Sequence, residues 1–204
     1  MGKEPVFETG LLLAGDVDPA SVRRQLSRLV ASGRLLQLRR GLYALAPPYQ
    51  KSRPHPFLVA NRITRPSYVS LQSALAHHGL IPEHVPVVTS ITTSRPGRWS
   101  TSLGDFEYRH IKTALFFGYR LEEVGEGQQA LIAAPEKALL DLIYLHAGSD
   151  QPEYLRELRL QNMETLDLGV LEELAGTSGS AKLHRAVRLI RQMVLEEAVE
   201  YETI

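Results

Sequence analysis

The period of the apolar positions changes twice within the first fifty residues. Val22, Leu26, Leu29 and Val30 fall at i, i+4, i+7 and i+8, which is one face of an amphipathic helix. Arg24, Ser27 and Arg28 occupy the opposite face, with Arg23 on its flank. Asp18 followed by Pro19 reads as the start of this helix, a capping side chain ahead of a proline whose missing N–H costs nothing at the first helical position. Gly33 reads as its stop. The stretch "RLLQLRRGLYAL" then predicts a strand from about Arg34 to Leu38, a tight turn through Arg39, Arg40 and Gly41, and a return strand "LYAL". Ahead of the basic-faced helix, "VFETGLLL" predicts a short helix followed by a glycine-containing turn at Gly15. Short helix, turn, basic helix and cationic hairpin make up the pattern of a winged helix-turn-helix, whose recognition helix enters the major groove while the wing lies along the backbone or minor groove.

The remainder predicts a second unit. Residues 1–48 form the winged helix-turn-helix domain, residues 49–56, proline-rich and cationic, an extended linker, and residues 57–204 a mixed α/β domain with a helical C-terminus. The expected fold class is α+β. "SYVSLQSALAHHGLIP" contains a helix over Leu71–Leu75 ended by Gly79 and Pro82, while "VPVVTSITTS" and "FEYRHIK" alternate as strands with "RPGRWSTSLGD" as the loop between them. "FFGYRLEEVGEGQQALIA" predicts a hairpin turning at 125–127, and "PEKALLDLIYLHAG" a helix from Pro135 to just before Gly148. Three more helices are expected near 153–161, 167–175 and 180–200.

Composition changes the picture in one respect. The chain's 204 residues carry no net charge, yet residues 1–104 hold 13 Lys and Arg against 5 Asp and Glu, and the second half reverses the balance. From Pro19 to Pro82 there are ten basic residues and no acidic one, a pattern that fits a polyanionic partner rather than a solvated face of mixed sign. The absence of cysteine removes disulfides, thiolate metal sites and cysteine nucleophiles, and suits a reducing cytoplasm. No segment reads as a signal peptide or membrane span.

Taken in order, "VRRQLSRLVASGRLLQLRRGLYALAP", "PHPFLVANRI", "SYVSLQSALAHHGLIPE", "FFGYR", "APEKALLDLIYL" and "YLRELRLQN" resemble the AbiEi family of type IV toxin-antitoxin antitoxins, over roughly residues 5 to 195. The resemblance implies a winged helix that binds inverted repeats in double-stranded DNA of its own promoter and represses the operon. It also implies a C-terminal domain that counters a nucleotidyltransferase-like toxin without forming a stable complex with it. Carried across, the DNA contacts fall on Arg23, Arg24, Ser27 and Arg28 in the recognition helix and on Arg39 and Arg40 in the wing. The basic run adds Arg34, Lys51 and Arg53 as further expected contacts. Family members often carry a helix ahead of the helix-turn-helix pair, which this chain has no room for; its first domain is then expected to lean on the second.

Other chemistry finds less support. His77, His78 and His84 are the one histidine cluster, but neighbouring helical side chains point about 100° apart, so a role in capping or packing is expected rather than a metal site. Asp105 and Glu107 lie on a predicted strand, yet the position two beyond Glu107 is Arg109 and Lys112 is out of step, so the acid and Glu-x-Lys pattern of a magnesium-dependent nuclease fits poorly. Lys137 and Asp141 stand at i, i+4, as a surface salt bridge would. No phosphate-binding glycine loop and no nucleotidyltransferase motif occurs. The expectation is a protein with no catalytic residues, cofactor or metal. A winged-helix-targeted nuclease and a non-enzymatic protein-interaction module are the alternatives. On the last helix, Lys182, Arg185, Arg188 and Arg191 recur along one flank, as a solvated face pairing with this half's surplus carboxylates.

Overall fold

A computed structural model describes residues 5–14 and 17–202, and its N-terminal part runs β1 (Val6–Glu8), α1 (Thr9–Leu12), α2 (Pro19–Ala31), β2 (Leu35–Arg39) and β3 (Leu42–Leu45). The expected turn at Gly15 lies outside the described residues. Asp18 caps α2 as its position predicts, its carboxylate accepting from the N–H of Ala20 at 3.0 Å and of Ser21 at 2.9 Å. Replacing Asp18 with alanine removes both bonds and is expected to lower stability by about 1 kcal/mol, read from the urea unfolding midpoint.

"VFETGLLL" is only half helical. Val6 to Glu8 form a strand that pairs with β3 in the register Val6↔Ala44, Phe7↔Tyr43 and Glu8↔Leu42, giving an antiparallel sheet of order β1-β3-β2. The reason is alternation: Val6 is buried on one side of the sheet, while on the other Phe7 stacks on Tyr43 with ring centroids 6.0 Å apart. The helix is therefore a single turn.

This sheet is apolar on both faces. Tyr43 and Leu35 meet Leu26 of α2, with Phe7, Leu12, Val22, Leu29 and Val30 around them. From the opposite face Val6, Leu38, Leu42 and Ala44 merge into the main core with Val59, Ile63 and Tyr108. The N-terminal part thus closes its core against the rest of the chain. The segment after it is held too: Gln128, itself buried, donates to the carbonyl of Arg53 at 2.9 Å and accepts from the N–H of His55 at 2.8 Å.

The rest is mixed α and β: α3 (Pro56–Ile63), β4 (Ser67–Val69), α4 (Leu71–His77), β5 (Val87–Thr92), β6 (Gly97–Thr101), β7 (Gly104–His110), β8 (Tyr119–Glu123), β9 (Gln129–Ala133), α5 (Pro135–Leu145), α6 (Pro152–Glu157), α7 (Leu168–Ser178) and α8 (Ala181–Glu202). The strands form one sheet of order β6-β7-β5-β4-β9-β8, in which β5 pairs with β7 and β4 with β9 in parallel. β4 is too short to show a period, and β6 replaces the expected loop; β6 is an edge strand exposed on both faces, so no alternation marks it.

The Lys137–Asp141 pair is not at the surface. Every residue from Glu136 to Ile143 on α5 is buried, because the helix is apolar around its whole circumference apart from these groups. Lys137 bonds the Asp141 carboxylate, which also accepts from the hydroxyls of Tyr68 at 2.9 Å and Ser70 at 2.8 Å. The ammonium group sits 5.6 Å from the Tyr68 ring and 5.5 Å from the Phe117 ring, and its stem packs on Gly118, where a Cβ would come within 3.0 Å of it. Burial pushes the Asp141 carboxyl above the ordinary range, against Lys137, Ser70 and Tyr68, which favour the ionised form. On α8 two of the basic flank residues pair with carboxylates, Arg185 with Asp150 at 2.7 Å and Arg191 with Glu172 at 2.7 Å, whereas Lys182 reaches the His146 carbonyl.

Candidate nucleic-acid interface

The apolar stripe of α2 settles onto the three-stranded sheet and turns Arg23, Arg24, Ser27 and Arg28 to solvent. Among the described residues Arg24 has one weak partner, Asp18 at 3.9 Å, and both groups are well exposed, so the guanidinium stays available. The Ser27 hydroxyl donates to the carbonyl of Arg23 at 3.0 Å, leaving it an acceptor toward a ligand.

The hairpin turns on Arg40 and Gly41, with Arg39 paired to Leu42 and Gly41 at φ 82°, a conformation that favours glycine. Its tip is tied to α1, since the Gly41 carbonyl accepts from the Thr9 N–H at 2.9 Å and from its hydroxyl at 3.3 Å. Arg40 is exposed at that tip. Arg34 is also exposed, with its guanidinium 6.0 Å from the ring centre of Tyr49, and Lys51 and Arg53 are exposed beyond it.

Arg39 behaves differently. It is half-buried, and its Nε is enclosed without a hydrogen-bond partner among the described residues. It lines a groove of about 570 Å³ together with Arg65, Arg95, Arg98 and Trp99. Trp99 is 42% exposed, and of the arginines Arg65 pairs with Glu8 at 3.1 Å and Arg98 with Glu107 at 2.9 Å. An enclosed guanidinium N–H beside three further arginines is what an anionic oxygen would satisfy. Arg95, Arg98 and Trp99 are not marked as contacts by the sequence because their stretch reads as a loop; only the spacing of two arginines around Pro96 and Gly97 hints at them.

The acidic residues offer little for a nuclease. Glu107 on β7 is held by Arg98 and, at 3.4 Å, by Arg109, so its carboxylate faces guanidinium groups. His78 and His77 depart from the expected divergence. His77 is the last residue of α4 and His78 its C-cap, and a ligand atom from each lies within 4.8 Å of the other and of Glu122 on β8. No described helix is long and apolar enough to cross a membrane.

No curated protein matches the chain. Residues 10–46, from α1 to just past β3, match the model of the family described as "Transcriptional regulator, AbiEi antitoxin", the family that the sequence resembles.

Proposed function

We propose that this chain is a sequence-specific, DNA-binding transcriptional repressor with an N-terminal winged helix-turn-helix, the autoregulating antitoxin of a type IV toxin-antitoxin system. The observation that carries the reading is the exposed arginine surface of α2 and the hairpin, set in a stretch with no acidic residue from Pro19 to Pro82. The order of strand β1, helices α1 and α2 and the β2–β3 hairpin supports this reading. In this reading α2 enters the major groove, Arg24 and Arg28 fork onto base edges or phosphates, and Arg34, Arg40, Lys51 and Arg53 meet the backbone. The groove at Arg39 carries the phosphate track onto Arg65, Arg95 and Arg98.

The partners are then the chain's own promoter DNA, with inverted repeats as the operator, and a nucleotidyltransferase-like toxin countered in the cytoplasm without a stable complex. Salt dependence tests the surface. About six phosphate contacts give a slope near −5 in log K against log salt, at about 0.9 per contact, whereas a slope shallower than about −2 would mean that these arginines do not meet the backbone.

A further inference from the structure

We propose that His77, His78 and Glu122 form a binding site for a borderline divalent cation, Zn²⁺ by donor type, where the end of α4 meets edge strand β8. One ligand atom from each residue lies within 4.8 Å of the other two. His77 Nε2 and Glu122 Oε2 are 3.2 Å apart, close to the roughly 3.4 Å between ligands on a tetrahedral Zn²⁺ with bonds of about 2.1 Å.

The supporting contacts leave the right atoms for a metal. His78 Nε2 lies 2.8 Å from the carbonyl of Ala133; a carbonyl only accepts, so this nitrogen carries the proton and Nδ1 holds the lone pair of the neutral ring. A ligating histidine is normally oriented by such a bond from its other nitrogen. Glu122 is arranged in the same way, with Oε1 accepting from Arg120 Nε at 2.7 Å and Oε2 turned to His77. The His77 ring is steadied by an edge contact with Phe57, 5.5 Å between centroids.

Two imidazoles and one carboxylate are a donor set that Zn²⁺ takes with a fourth position left to solvent, and Mg²⁺ or Ca²⁺, which seek oxygen, do not. A bound ion would pin the last turn of α4 to β8. None of the three ligands belongs to the arginine surface, so the site stands independently of the DNA-binding reading.

The experiment uses the full chain without a histidine tag, titrated with Co²⁺ alone and followed by its visible absorption, then with Zn²⁺ as the displacing ion. One equivalent is expected to bind with the intense band of a low-coordinate site, and Zn²⁺ to abolish it. His77→Gln and Glu122→Gln should each weaken Co²⁺ binding at least about tenfold, and His84→Gln should leave it unchanged. Circular dichroism of each variant confirms that it is folded. Binding that survives both ligand replacements, or no saturable binding by the parent chain, overturns the proposal.

Discussion

Asp141→Asn lowers the stability of this chain by about 3–5 kcal/mol, because it leaves the Lys137 ammonium buried without a counter-charge. Desolvating the two ions is costly, and their attraction repays it only while the hydroxyls of Tyr68 and Ser70 complete the carboxylate's bonding. Both hydroxyls donate to the same oxygen, Oδ2, so the amide oxygen of asparagine can still accept from them and the loss is mainly electrostatic. Adding Lys137→Met removes the orphaned charge while keeping the stem that packs on Gly118. The double variant should therefore recover at least half of the loss, measured by urea unfolding with a common slope. A single variant within about 1 kcal/mol of the parent would show that the pair is not the buried ion pair described above.

The second large effect is on DNA. Arg24→Ala and Arg28→Ala should relax discrimination between the operator and single-base variants of it, by about 1–3 kcal/mol for each arginine that forks onto a base. Arg39→Ala with Arg40→Ala should instead weaken binding to every sequence alike and flatten the salt slope by about 0.9 for each phosphate that the protein no longer neutralises. The two hairpin residues are not equivalent, since Arg40 is exposed at the tip while Arg39 is half-buried against the cationic groove. Anisotropy titrations against labelled duplexes at several salt concentrations separate the patterns. If all four replacements leave affinity and slope unchanged, α2 and the hairpin do not face DNA.

How much of the fold is legible in the sequence follows from how local each signal is. The cap at Asp18, the stripe from Val22 to Val30 and the two-residue turn at Gly41 are decided by neighbours in the chain, and the structure has all three. Strand β1 reads only as part of a helix, because Val6 and Phe7 alternate over too few residues to show a period of two. Strand β6 is silent because an edge strand exposed on both faces needs no apolar alternation. The charge pair on α5 reads as a surface pair because i, i+4 spacing is the same at the surface and in the core; the signal that places it is the run Ala138, Leu139, Leu140, Leu142 and Ile143, apolar on all sides. The spacing of His77 and His78 gives no sign of a third donor, because Glu122 comes from a strand far along the chain. The groove at Arg39 likewise depends on long-range packing of β2 against β6.

Specific DNA recognition is tested most directly by a gel-shift titration of the purified chain against its own upstream DNA. An unrelated duplex of equal length serves as competitor, at about 0.15 M salt, where non-specific contacts are weak. The account predicts a complex on the upstream DNA that persists under an excess of competitor, about a thousandfold tighter than binding to the unrelated duplex. Equal, salt-labile binding to both duplexes would contradict it, leaving the arginine surface as a non-specific anchor.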